Sequence, residues 1–174
     1  MNISGRKSLI KVTPDNFAPQ SAHMLLLTKI FDFETAHAID GYNGMCKNIH
    51  GHSYELHVTV GSLVNENAYL PAPGFLLDFK DLKQIVQKAV VDLFDHKLVL
   101  SHSYIAKHPE VTEQENLVAW DAEPTAENLL LFIKRAVQDE LPDDMKLVEL
   151  RLYETKNSYA TWREEAEVYQ GDIW

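Results

Sequence analysis

One segment of this 174-residue chain alternates so regularly between apolar and polar side chains that it favours a half-buried β-strand. In the segment 52–62, every second side chain from position 54 to position 60 is apolar, and the side chains between them point to the opposite face. The apolar set is Tyr54, Leu56, Val58 and Val60. A strand of this kind is stable only with partner strands and a layer packed over its apolar face. Other parts of the chain must supply both.

A second strand is predicted upstream, over residues 24–36, where apolar and β-branched residues are concentrated. His37 shares the face of its apolar odd-numbered positions, which are Leu25, Leu27, Phe31 and Phe33. A loop with Gly41, Asn43 and Gly44 joins the two strands into a hairpin.

Helical spacing predicts two helices downstream. The first covers about residues 79–94 with Asp78 as its N-cap, and the second begins after Thr125 and ends before Pro142. Residues 146–155 and 159–169 alternate again and are predicted to form a second hairpin.

The element order β-β-α-α-β-β predicts one α+β domain over residues 1–174, with a four-stranded antiparallel sheet and two helices on one face. Residues 1–22 are predicted to be an irregular arm, and residues 97–123, which lack a sustained period, a long insertion. The sheet would keep two open edges, which a homo-oligomer could close.

Composition excludes several classes of protein. A 45% hydrophobic and 24% charged chain is not disordered, and a net charge of -10 argues against nonspecific nucleic-acid binding. No apolar run approaches the ~18 residues of a transmembrane helix. With a single cysteine and no visible secretory signal, we expect a cytoplasmic protein.

Three histidines form a candidate metal site. His50 and His52 lie two residues apart at the entry of a strand, so they share a face, and His37 ends the neighbouring strand. Three neutral imidazoles with one open coordination position are typical of catalytic zinc. The alternative is that the pair at 50 and 52 is a polar surface feature without a ligand.

Cys46 and the pair Asp95-His96 are candidates for acid-base chemistry. Cys46 lies in a polar loop beside Lys47, where a thiolate would be favoured, although free cysteines are more often buried core residues. Asp95 would orient the His96 imidazole for proton transfer, or the pair would only end a helix.

Glu154 shares parity with three apolar residues, Val148, Leu150 and Leu152, which puts a carboxylate on the buried face of its strand. Such a carboxylate is costly unless something pairs with it. Its partner is either a structural lysine or arginine, or a ligand that presents two N–H groups.

Taken together, these motifs resemble the 6-pyruvoyltetrahydropterin and 6-carboxytetrahydropterin synthase family of tunnelling-fold enzymes. The resemblance covers about residues 29–169 and rests on His37, Cys46-x-x-x-His50-Gly-His52, Asp95-His96, Pro124-Thr125-Ala126-Glu127-Asn128 and Tyr153-Glu154-Thr155. Three residues between the cysteine and His50 resemble the bacterial carboxy-forming branch of queuosine biosynthesis, whereas the animal pyruvoyl-forming enzymes have five. The segment 97–123 and the N-terminal arm are longer than the family pattern.

The resemblance implies a zinc-dependent lyase acting on 7,8-dihydroneopterin triphosphate. His37, His50 and His52 would bind Zn²⁺, Cys46 would remove a side-chain proton, and Asp95-His96 would relay a proton. Glu154, with the backbone near Thr125, would bind the pterin edge. The products would be 6-carboxy-5,6,7,8-tetrahydropterin, acetaldehyde and triphosphate, and four-stranded sheets would assemble into trimeric barrels that stack in pairs.

Three other functions remain open from the sequence. The first is a pyruvoyl-forming synthase, which would eliminate triphosphate without cleaving the side chain. The second is a zinc hydrolase that uses the same three imidazoles. The third is a non-catalytic zinc- or pterin-binding protein, which would have no use for the acid-base residues at 46, 95 and 96.

Overall fold

The structure, a computed structural model, describes residues 22–164. Its central element is a six-stranded mixed sheet. Its strands are β1 (Ala22–His37), β2 (His50–Asn65), β3 (Lys97–Ser101), β4 (Leu117–Trp120), β5 (Lys146–Thr155) and β6 (Ser158–Arg163). Their order across the sheet is β4-β3-β1-β2-β5-β6. The pairs β1–β2, β2–β5 and β5–β6 are antiparallel, whereas β3 runs parallel to both β1 and β4.

The four predicted antiparallel strands are therefore present, but the sheet contains two further strands that were not predicted. Both additional strands lie in residues 97–123, predicted as an insertion without regular structure, and α3 (His102–Lys107) lies between them. Four consecutive residues of β3, 98–101, are buried, so the strand shows no alternation that its sequence could reveal. Side chains of this segment form a small second core with the residue after β1; it consists of Ala38, Leu98, Leu100, Tyr104 and Val111.

Helical residues cover 79–94 as predicted, in three consecutive pieces. These are α1 (Phe79–Val86), a π-helical segment (Gln87–Val91) and α2 (Asp92–Phe94). The Asp78 side chain accepts a hydrogen bond from the Lys80 N–H at 2.7 Å, which confirms the predicted N-cap. The last helix, α4 (Ala126–Gln138), has Thr125 as its N-cap; the Thr125 hydroxyl accepts from the Asn128 N–H at 3.3 Å.

These helices pack against one face of the sheet, and that layer is the main core. The predicted apolar faces are confirmed: in β2 they supply four fully buried residues, namely Tyr54, Leu56, Val58 and Val60. Phe31 and Phe33 of β1 are buried beside them, whereas Leu25 on the same face is 42% exposed near the start of the strand. Apolar burial of this kind stabilises by about 25 cal/mol per Å² removed from water.

Two irregularities in β5 affect the parity prediction. The register against β2 shifts beside Val148, so Leu147 takes a buried position and Val148 is only partly buried. A second shift against β6 lies between Tyr153 and Thr155, which places Glu154 at a bulge. Bulges re-aim the side chain that they carry. Leu150 and Leu152 are buried as the alternation predicts.

Two predicted segments fall mainly outside the described residues. The predicted arm over residues 1–22 reaches the described part of the chain only at Ala22, where β1 begins. The predicted last strand is described to Arg163, and its residues 165–169 are not. Within residues 22–164, no helix has the length and apolarity needed to cross a bilayer.

Candidate active site

A cavity of about 310 Å³ opens between the end of β1, the loop that follows it, the start of α4 and the β5–β6 turn. Four of the predicted site residues line it, each from a different part of this wall: His37, Cys46, Thr125 and Glu154. The exposed rings of Tyr42 and Tyr159 also line the cavity. The fold thus brings together side chains that lie more than 100 residues apart in the sequence.

The histidine cluster forms where β1 ends and β2 begins. His37 and His50 are directly paired across the two strands, and His52 follows on the same side of β2. One ligating nitrogen from each of the three rings lies within 4.8 Å of the others, and the Nε2 atoms of His37 and His50 are 3.1 Å apart. A strand pair holds these rings together because its register sets their spacing.

Backbone carbonyls orient two of the three rings. His37 Nδ1 lies 2.6 Å from the Pro124 carbonyl oxygen, and His50 Nδ1 lies 2.8 Å from the Asn48 carbonyl oxygen. A carbonyl only accepts, so each Nδ1 carries the proton and each Nε2 keeps a free lone pair. A carbonyl that accepts from the ring nitrogen facing away from the metal is typical of histidines that bind metals.

The chemistry of the cluster fits a divalent metal that prefers imidazole. His52 Nε2 is buried and has no hydrogen-bond partner among residues 22–164, a cost that a coordinate bond would remove. Burial is the main cause that lowers the pKa of His37, and the other imidazoles add to it. The pKa of His52 is lowered in the same way, so both rings favour the neutral form that a metal requires.

Glu154 faces this cluster from the end of β5. Its Oε1 lies 3.5 Å from Nε2 of both His37 and His52, and the Tyr54 hydroxyl donates to it at 3.3 Å. Among the described residues, no lysine or arginine lies within ion-pair distance of Glu154, so the structural cation considered as its partner is not found there. The carboxylate is 31% exposed and borders the cavity.

Tyr54 belongs to the site, although the sequence pattern predicted only a core residue at this position. Its alternation predicts a core side chain, and its ring is indeed buried and stacks on Phe33 with the centroids 5.3 Å apart. Its hydroxyl, however, reaches Glu154. Burial, reinforced by that carboxylate, raises the pKa of Tyr54 well above its usual value, so the phenol stays a donor. Its place two residues after His52 is the only sequence signal of this role.

Cys46 lies in a short 3-10 turn, Met45–Lys47, within the loop between β1 and β2. The side chain is exposed, which excludes the alternative of a buried core cysteine. The loop is closed by a hydrogen bond from the Ile39 N–H to the Cys46 carbonyl at 2.9 Å. Cys46 therefore borders the cavity from a loop whose two ends are tied together.

Asp95 and His96 lie outside this cavity, at the end of α2. Asp95 Oδ1 accepts from the Glu34 N–H at 2.9 Å and lies 2.9 Å from His96 Nδ1. The Glu34 amide is the main cause that lowers the pKa of Asp95. His96, with φ of 57°, donates its N–H to the Glu34 carbonyl and is 77% exposed. Within one chain, His96 borders a groove that His52 also lines, and not the cavity that contains Cys46.

Comparison with known proteins points to one family. Residues 26–165 match the family model described as 6-pyruvoyl tetrahydropterin synthase. The chain is 30% identical over 146 residues to the 6-carboxy-5,6,7,8-tetrahydropterin synthase of Haemophilus influenzae, covering 81% of this chain and 100% of that one. It is 31% identical over 122 residues to the 6-pyruvoyl tetrahydrobiopterin synthase of Dictyostelium discoideum, covering 70% of this chain and 76% of that protein.

Solved structures show the same fold at lower sequence identity. An uncharacterized protein from Wolinella succinogenes matches with a TM-score of 0.67 at 17% identity, covering 82% of this chain and 99% of that one. The 6-pyruvoyl tetrahydropterin synthase of Caenorhabditis elegans matches with a TM-score of 0.57 at 18% identity, covering 82% of this chain and 97% of that one. The predicted tunnelling fold is thereby confirmed at the level of the single chain.

Proposed function

The chain belongs to the 6-pyruvoyl tetrahydropterin synthase family, and we propose that it converts 7,8-dihydroneopterin triphosphate and one water molecule to 6-carboxy-5,6,7,8-tetrahydropterin, acetaldehyde and triphosphate. This is the lyase reaction of the queuosine branch. The observation that carries the proposal is the cavity beside the histidine cluster, because one member of the cluster, His37, lines a space for one small molecule together with a thiol and an acceptor carboxylate. The similarity to bacterial carboxy-forming relatives, which spans 98–100% of their length and 78–81% of this chain, supports the same assignment.

Zinc is the metal that we assign to the cluster. His37, His50 and His52 would hold it through Nε2, the nitrogen that the carbonyls of Pro124 and Asn48 leave free on the first two rings. A Zn²⁺ ion held there would supply Lewis acidity, which would acidify hydroxyl groups of a ligand and stabilise developing negative charge on oxygen.

Glu154 would bind the pterin. A carboxylate with two oxygens matches the ring N–H and 2-amino group of a pterin edge, and its bonds to such donors are charge-assisted. The bulge at Glu154 and the hydroxyl of Tyr54 hold the carboxylate toward the cavity, where Thr125 forms another part of the wall. The side chain is thus oriented before a ligand arrives, which reduces the entropy cost of binding.

Cys46 would act as the base at its Sγ. Exposed on the cavity wall beside Lys47, it would take a proton from the carbon side chain of the substrate as a thiolate. The Asp95-His96 pair would return a proton from an adjacent subunit, because within one chain His96 borders a different groove from the cavity that Cys46 lines. Within the same chain, the Asp95 carboxylate contacts Nδ1 of His96 and orients the ring.

The second candidate is the pyruvoyl-forming reaction. A relative of that name from Dictyostelium is as similar, at 31% identity, as the carboxy-forming relatives, although it aligns over less of its length. The three residues between Cys46 and His50 favour the carboxy-forming branch. A zinc hydrolase would use a carboxylate beside its metal, a place that Glu154 takes, but the family match favours a synthase over that function and over a non-catalytic binder.

Product analysis tests the proposal. Zinc-loaded protein is incubated with 7,8-dihydroneopterin triphosphate, and pterins and aldehydes are identified by mass spectrometry. We expect 6-carboxytetrahydropterin with acetaldehyde in equal amounts, and Cys46→Ala should lower turnover by ~10²-fold or more. A 6-pyruvoyl product without acetaldehyde would establish the second candidate, and unchanged substrate would contradict both.

A further inference from the structure

Glu123 joins three parts of the molecule without lining the cavity. Its Oε2 accepts a hydrogen bond from the backbone N–H of Asp40 at 2.7 Å, and its Oε1 accepts one from the Ser103 hydroxyl at 3.0 Å. Asp40 belongs to the loop that carries Cys46, and Ser103 belongs to α3 in the long 97–123 segment. The half-buried Glu123 carboxylate therefore connects the Cys46 loop to α3.

The backbone of the same residue organises the other side of the cavity. The Glu123 carbonyl accepts from the Thr125 N–H at 2.8 Å and from the Asn128 side-chain amide at 2.9 Å, immediately before α4 begins. The next carbonyl, that of Pro124, holds the His37 ring through Nδ1 at 2.6 Å. Glu123 is thus connected through its backbone to the histidine cluster and through its side chain to the Cys46 loop.

The Asp40 end of this connection leads directly to Cys46. The N–H of the preceding residue, Ile39, donates to the Cys46 carbonyl at 2.9 Å and closes the loop. The backbone N–H of Asp40, which Glu123 binds, is therefore one residue away from that hydrogen bond. Lys107 of α3 also contacts the Asp40 carboxylate, at 2.7 and 2.9 Å. That ion pair is largely exposed on the lysine side and contributes little, whereas the amide-to-carboxylate bond is charge-assisted.

We propose that Glu123 is a positioning residue that sets the placement of the Cys46 thiol relative to the histidine cluster, an inference that rests on the proposed function for its catalytic consequence. It acts through Asp40 and Pro124 and does not touch the substrate. The 97–123 segment then has a role in this chain, because Ser103 orients the Glu123 carboxylate from α3. Displacing a reacting group by about 1 Å can cost ~10²-fold in rate, so a loop tether of this kind affects turnover.

Amide hydrogen exchange tests the tether without any use of activity. In the zinc-loaded full-length protein, Glu123→Ala should speed exchange of Ile39 and Asp40 by ~10-fold, because the Asp40 N–H loses a charged acceptor. Glu123→Gln keeps an oxygen acceptor and should stay within ~3-fold of wild type. Asp121→Ala is the matched control, since that carboxylate is 97% exposed and contacts only His102 among the described residues. Unchanged exchange in Glu123→Ala would overturn the proposal.

Steady-state kinetics of the same variants test the catalytic consequence. Glu123→Ala should lower kcat by ~10-fold with KM changed less than ~3-fold, and Glu123→Gln should restore most of kcat. Equal losses in the alanine and glutamine variants, or a change in KM alone, would contradict a positioning role. Should the wild type not convert dihydroneopterin triphosphate at all, the proposed function fails, while the exchange measurement still decides whether Glu123 tethers the loop.

Discussion

At the scale of single residues, the histidine cluster makes the most direct prediction. Purified protein should contain about one zinc per chain, because three imidazoles and one open position suit that metal. His50→Ala or His52→Ala should lose the zinc, measured by elemental analysis of dialysed protein. His57→Ala is the matched control: the ring lies on the same strand, and its Nε2 contacts Glu55 instead of the cluster. Equal zinc in all three variants would disprove the assignment.

Glu154→Gln separates ligand binding from folding. The change removes the charge that would bind the pterin N–H groups, so we expect weaker binding by ~1.5–3 kcal/mol in calorimetry with a pterin. Its neighbours in the described structure are imidazoles and the Tyr54 phenol, so no lysine or arginine loses its partner. The melting temperature should therefore hardly change. Unaltered pterin affinity with a lower melting temperature would show that Glu154 serves the fold.

The lowered pKa values of His37 and His52 predict a pH dependence for the metal-free protein. Below the ordinary histidine pKa of 6.5, these histidines bind protons in the unfolded chain more readily than in the folded chain. Lower pH therefore stabilises the unfolded state relative to the folded state. The melting temperature of EDTA-treated protein should therefore fall as the pH drops from 7.5 to 5.5. His37→Gln should reduce this dependence. A dependence as steep in that variant as in wild type would show that other groups cause it.

At the scale of elements, the N-cap of α4 connects stability to the cavity wall. Thr125→Val keeps the side-chain shape but removes the hydroxyl that accepts from the Asn128 N–H. The expected cost is ~1 kcal/mol, or about 2–4 °C in melting temperature for a domain of this size. Thr161→Val is the matched control, because Thr161 lies exposed in β6, where a β-branched residue is suited. Equal melting temperatures for the Thr125 variant and wild type would contradict the capping role.

At the scale of the whole molecule, Cys46 and His96 border different surfaces of one chain, and this separation predicts sites shared between subunits. We expect Cys46→Ala and His96→Ala to be nearly inactive alone. After the two are denatured and refolded together, activity should return, because some interfaces then combine an intact Cys46 with an intact His96. The control is each variant refolded alone. No recovery in mixed assemblies, confirmed by native mass spectrometry, would place both groups within one chain.

Much of the fold and of the candidate site could be predicted from sequence because the signals are local. Alternation located β1, β2, β5 and β6, and helical spacing with the caps Asp78 and Thr125 located the helical segment 79–94 and α4, but not α3. The histidine cluster was predictable for the same reason: side chains two apart at a strand entry share a face, and a hairpin partner lies opposite. These patterns depend only on backbone geometry within a few residues.

Tertiary contacts alone decided the remainder. β3 and β4 are short strands that pair in parallel, and β3 is buried without alternation, so their sequences carry no period that distinguishes them from a loop. The register shift that places Glu154 at a bulge, and the carbonyls of Pro124 and Asn48 that orient the imidazoles, arise only when distant segments meet. The sequence determined which chemical groups are present, and packing between distant segments determined which atoms face one another.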